Sequence, residues 1–167
     1  MKRVLGIWAI VAATLFCLCG CGTTATIDPI TDGFSAETTI RYKEMDVQGR
    51  FSCSADGRVS MVFALPKSLE GVTLGWNGSE MQMGLGGMTV TVAKDSMPDG
   101  GLILQLARIL ASVNPKDGTR EGADYVIRGT VEGADYTLVC EAVTGFPKTL
   151  SVPDAPLEVT FSQVSVI

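Results

Sequence analysis

The chain has 167 residues with 13 basic and 18 acidic side chains, a formal net charge of −5, and no histidine. Lack of histidine removes Ser-His-Asp and Cys-His triads and histidine-ligated zinc in one step. No basic cluster is longer than a pair, so neither nucleic acid nor an anionic headgroup surface is an expected partner.

Residues 1–20 read as a lipoprotein signal peptide. Lys2 and Arg3 form a positive start, and residues 4–16 form an apolar stretch too short to stay as a membrane-spanning helix. The segment closes on Leu18-Cys19-Gly20-Cys21, which resembles the bacterial lipobox, with Cys21 as the lipidated residue. Cys17 and Cys19 fit less well, because Phe16 and Leu18 are too large to precede the cut. The competing reading is an ordinary signal peptide or an uncleaved anchor. Cleavage before Cys21 removes Lys2 and Arg3 and leaves 11 basic against 18 acidic residues, a mature charge of −7. Acyl chains such as palmitate would then tether the protein to the outer face of the cytoplasmic membrane, or to an outer membrane where one exists. Each buried methylene contributes about 0.8 kcal/mol to such an anchor. Residues 21–33 follow as the lipidated cysteine and a tether without periodicity. Residues 34–167 suit a single domain with one core.

Beyond the tether, period-two patterns dominate. Residues 38–45 carry Ile40 and Tyr42 on one face, with Arg41 and Lys43 on the other. Residues 47–55 lead through Asp56-Gly57, a hairpin signal, into residues 58–65, where Met61 and Phe63 share a face. Pro66 stops that strand. Residues 72–76 align Leu74 with Trp76, then turn at Asn77-Gly78 into Glu80–Leu85, which aligns Met81 with Met83. Met88–Ala93 follows. Gly84-Leu85-Gly86-Gly87 is a turn and not a phosphate loop, because a strand and not a helix follows it. Later strands are expected at residues 125–131, 136–142 and 149–152 and at Leu157–Val166.

One stretch differs. Leu102, Leu106, Ile109 and Val113 recur at helical spacing, backed by Ile103 and Leu110. Ser96 and Asp99 are candidate N-caps, and Asn114-Pro115 a stop. The pentapeptide at residues 121–125 recurs at 132–136; two copies mark successive hairpin strands, not a solenoid. The expected architecture is mainly β: about nine antiparallel strands curved round one apolar helix.

Asp56-Gly57, the strand ending at Pro66, Leu69-Glu70-Gly71, the Trp76-Asn77-Gly78 hairpin, the helix after Met97-Pro98 and Gly145-Phe146-Pro147 occur in an order similar to that of the LolA/LolB superfamily. Those proteins sort lipoproteins in bacterial envelopes, with relatives in bacteria lacking an outer membrane. The resemblance implies a curved antiparallel half-barrel closed by helices over an apolar cavity that accepts acyl chains.

Candidate cavity residues are Met61, Phe63, Leu74, Trp76, Met81, Met83, Met88, Leu106 and Ile109. Methionines make a flexible lining suited to a variable apolar ligand, although ordinary core packing accounts for them equally simply. Cys53 and Cys140 lie on expected strands as buried thiols or, in an oxidising compartment, a disulfide. Arg41, Lys43 and Arg58 either blunt an exposed sheet edge or form a docking patch. No catalytic, metal or cofactor motif stands out. The leading expectation is a non-enzymatic, membrane-anchored lipoprotein holding an acyl or lipid-like ligand. The alternative is a scaffold lipoprotein with a filled core that docks an envelope protein.

Overall fold

The computed structural model describes residues 32–96 and 101–167. The signal peptide, Cys21, residues 22–31 of the tether, Met97-Pro98 and Asp99 lie outside the described residues. The strands are β1 (Gly33–Tyr42), β2 (Met45–Ser54), β3 (Val59–Leu65), β4 (Thr73–Trp76), β5 (Glu80–Leu85) and β6 (Met88–Ala93). After the helix α1 (Leu102–Ser112) come β7 (Thr119–Glu121), β8 (Asp124–Val131), β9 (Ala134–Glu141), β10 (Pro147–Val152) and β11 (Leu157–Val166).

All eleven strands form one curved, unclosed antiparallel sheet in the order β6-β5-β4-β3-β2-β1-β11-β10-β9-β8-β7. Two meanders are joined back to back by β1 and β11, whose register runs from Phe34 opposite Val166 to Tyr42 opposite Leu157. One rim of the sheet carries Gly33 and the Asn77-Gly78 turn. The other carries the Lys43-Glu44, Gly86-Gly87 and Glu132-Gly133 turns. Turn chemistry accounts for the hairpins. Gly57 and Gly78 take positive φ, and the Asn77 side-chain oxygen accepts from the Ser79 and Glu80 amides at 3.0 and 2.9 Å.

The inner face holds the core. Phe34, Ala36, Thr38, Ile40 and Tyr42 alternate inward along β1, all buried. The rings of Phe34, Phe51 and Phe161 meet with centroids 5.8–6.3 Å apart, a spacing at which aromatic pairs attract beyond their area burial. Helix α1 lies on this face against β3, β4 and β8, burying Ile103, Leu104, Leu106, Ala107, Ile109 and Leu110.

Several expectations shift. Eleven strands replace about nine. β1 starts at Gly33, and Lys43-Glu44 is a turn and not strand, because Ala36 and Thr38 on the inner face disguise the alternation. β7, three residues long, gave no pattern to read. Gly101 caps the helix without a side-chain bond, and Ser96 ends a 3-10 turn too early to serve. Asn114 instead accepts from the Lys116 amide at 3.2 Å, starting the next 3-10 turn. Arg41 and Arg58 guard no edge: β1 and β3 are interior strands, and these side chains pair with Asp46, Glu158 and Asp56.

The register between β2 and β3 slips at Gly49, where Gln48 faces Leu65 and Gly49 faces Phe63. A Cβ on Gly49 would run into the Val62 carbonyl oxygen. The Gly49 carbonyl also accepts from the buried Thr38 hydroxyl at 2.9 Å, so an inward polar side chain is satisfied at the bulge. Gly49→Ala is therefore expected to destabilise by about 1–3 kcal/mol. Gly75→Ala, whose Cβ would have its nearest neighbour at 3.8 Å, is expected to be neutral or mildly stabilising. Urea midpoints of the two variants check this; equal midpoints would reject the bulge.

Candidate functional site

The nine residues expected to line a cavity separate into three groups. Met61, Phe63, Trp76, Leu106 and Ile109 are buried in the core, filled by α1 from one side and the sheet from the other. Leu74 and Met81 are half-buried against that core. Met83 and Met88 share the inner face but are 47% and 72% exposed.

The registers explain the third group. Leu74 faces Met83 across β4 and β5, Met83 faces Val90, and Leu85 faces Met88 at the hairpin end. Alternation therefore carries one apolar stripe outward from the core across β5 and β6, past the strands on which α1 packs. Leu85 and Val90 are 51% and 56% exposed on it. Met45 at the start of β2 is exposed along the same rim. These three were missed from sequence. They belong to the same alternating sets as Met83, Met88 and Val47, and nothing local says where the helix stops covering the sheet.

A second concavity, about 600 Å³, opens at the same rim between α1 and the turns after β1, β8 and β10. Its wall includes Tyr42, Lys43, Arg108, Ile109, Glu132 and Asp154. Of the expected cavity residues only Ile109 belongs to it. The Arg108 guanidinium and the Glu132 carboxylate pair at 2.6 Å, and the Lys43 ammonium sits 5.1 Å from the Tyr42 ring centre. Two cations and two carboxylates balance, so this cleft has no net pull on a charged ligand. Sequence reasoning missed it because it is gathered from turns far apart in the chain. Among the described residues no group of three or more His, Cys, Asp or Glu side chains could hold a metal ion. No helix among them is long and apolar enough to cross a membrane.

Cys53 and Cys140 are both buried thiols. Cys53 on β2 faces Phe34 and Val59, whereas Cys140 on β9 faces Tyr125 and Pro147. Strands β1, β11 and β10 lie between them, and no bridge joins them.

The chain matches no protein-family model, and no curated protein matches it. Solved structures do overlay on it. An uncharacterized conserved protein from Thermus thermophilus aligns with a TM-score of 0.53 at 14% identity, over 83% of this chain and 81% of that one. A LolA superfamily protein from Nitrosomonas europaea aligns with a TM-score of 0.43 at 8% identity, over 82% and 87%. MucB, solved in complex with MucA, gives 0.35 at 13% identity over 83% of this chain and 52% of its own. The first likeness is one of fold alone, and the other two are looser overlays that carry nothing further.

Burial, and secondarily the nearby Asp56 carboxylate, pushes the Cys53 thiol from 9.0 up to about 11. A thiol reacts as its thiolate. Alkylation at pH 8, followed by peptide mass spectrometry, is expected to leave Cys53 unmodified in the folded protein and to label it fully in urea. The linkage runs the same way. Protonated Cys53 favours the folded state, so its share of stability is intact below pH 9 and is lost as pH rises towards 11. Cys53→Ala is expected to lose less stability than wild type across that window. Rapid alkylation of the native protein at pH 8 would contradict the buried placement.

Proposed function

We propose that this protein is a non-enzymatic bacterial envelope lipoprotein, anchored through Cys21, whose curved sheet holds an acyl chain or similar apolar ligand. The observation that carries the reading is the apolar shelf of Met83, Leu85, Met88 and Val90, which are 47–72% exposed on the inner face beyond α1. Large side chains of this kind, contiguous on one face, mark a binding surface more often than chance exposure does. Two of the four are methionines, which repack around ligands of varied shape. Leu74 and Met81 supply a half-buried floor at the inner margin of the shelf. Met61, Phe63, Trp76, Leu106 and Ile109 act beneath it as core. The ligand in this reading lies across the shelf and does not thread between the helix and the sheet. The sequence resemblance to the LolA/LolB superfamily and the lipobox at residues 18–21 support the same assignment.

The test is uptake of a fluorescent fatty acid by the exported chain, set beside Met83→Glu/Met88→Glu. Both positions are open to solvent, so the urea midpoint should not move. Burying a methionine side chain is worth about 1.5–3 kcal/mol, so affinity should fall by at least about tenfold. Unchanged affinity in the double variant would remove the shelf from the site. A wild-type protein that takes up no fatty acid and carries no co-purified lipid would end the acyl-ligand reading.

A further inference from the structure

The two edges of the sheet are built differently. β7 is three residues long and carries Arg120 and Glu121, so charge and brevity blunt it. β6 is six residues, Met-Thr-Val-Thr-Val-Ala, with no charge, no proline and no register slip against β5. Among the described residues no other strand lies along its outer side. Gly86 and Gly87, both at positive φ, close the β5–β6 hairpin in a two-residue turn, so the flanking pair Leu85 and Met88 is a hydrogen-bonded one. Met88, Val90 and Val92 then bond to β5. Thr89, Thr91 and Ala93 aim their main-chain groups outward. The Lys94 amide, which reaches the Ser79 carbonyl at 3.1 Å, keeps the same alternation.

We infer that the outer edge of β6 pairs with β6 of a second copy of this chain, antiparallel and centred on Thr91. A two-fold axis through the sheet keeps inner faces on one side, which requires residues of the same face to meet. Centring on Thr91 satisfies this. Thr91 faces its own counterpart, Val90 faces Val92 of the second copy, and Thr89 faces Ala93 of the second copy. The outward-pointing residues are then the ones that meet as bonded pairs, giving about six main-chain hydrogen bonds. Cross-strand valine and threonine pairs are favourable. The strand sets no charge against itself, and the two apolar shelves run together across the axis. A head-to-tail pairing of β6 with β7 would give an open filament, and the charged, three-residue β7 opposes it. The pairing is independent of whether the shelf holds a ligand.

The test uses the full chain in its native membranes, with a mild oxidant. In a bonded antiparallel pair the two Thr91 Cα atoms sit about 5.5 Å apart, within the span of a disulfide. Two Thr89 residues sit about 14 Å apart, out of reach. Thr91→Cys is expected to give a disulfide dimer of this chain, whereas Thr89→Cys stays at the wild-type background. In sedimentation in mild detergent the wild type is expected to run as a dimer. Thr91→Lys, which sets like charges face to face at an exposed position, is expected to run as a monomer that keeps the wild-type circular dichroism spectrum, with a urea midpoint lowered only by the lost association. Three results would each overturn the pairing: equal crosslinking at both positions, a Thr91→Cys bond to a different protein, or a wild type that stays monomeric at every attainable concentration.

Discussion

The pairing of β1 with β11 is the constraint on which the rest of the structure depends. It joins two meanders at the middle of the sheet and sends their far ends, β6 and β7, to opposite edges. The chain must then travel from one edge to the other, and the inner face is where it can bury apolar side chains on the way. That is why the segment between β6 and β7 contains the helix, and why α1 is apolar round most of its girth, with six of its eleven residues buried. A helix on the outer surface would show one stripe. This one is pressed against β3 and β4 on one side and β8 on the other.

Among the described residues α1 is the helix on this face, and it cannot cover the face it crosses. Eleven strands spaced about 4.8 Å apart make an arc of roughly 48 Å, and a helix with its side chains is about 10 Å across. The meander from β1 to β6 has six strands of four to ten residues, and α1 reaches only its third and fourth among its principal contacts. What the described residues leave bare is the outermost hairpin, whose inner stripe continues the core alternation into solvent. Among the described residues the apolar shelf is thus a geometric consequence of a wide sheet with one helix packed on it. The cleft at the same rim is the gap between that helix and the turns around it.

Much of this was legible in the sequence, and the limits have physical causes. The hairpins at Asp56-Gly57, Asn77-Gly78 and Gly86-Gly87 could be read because Gly and Asn supply the backbone angles those turns need. The repeated pentapeptide marked two real turns, at 122–123 and 132–133. The start of β1 was hidden because Ala36 and Thr38 are small or polar yet face inward, Thr38 bonded to the Gly49 carbonyl. Met61 and Met83 look alike to any local rule. One is fully buried and the other nearly half exposed, and only the path of the helix over the sheet separates them. The cleft at Lys43, Arg108 and Glu132 was out of reach for the same reason, since topology alone brings those turns together.

The shelf and the bare edge belong to the same hairpin, and this coincidence narrows what the hairpin is for. A solitary outermost hairpin is marginal in water, and natural sheets guard such positions with charge or proline. Here the guarding is spent on β7, while β5 and β6 carry apolar side chains on their inner face and β6 presents an uncharged, largely β-branched outer edge. Folding does not demand this: the core under α1 is already closed by Phe34, Phe51, Met61 and Phe161 without help from Met88 or Val90. Residues that the core does not need, arranged so that both a face and an edge stay open, are better explained by contact with something outside the monomer. An apolar ligand on the face and a matching strand on the edge would each remove one of those liabilities, and the same six residues of β6 would serve both.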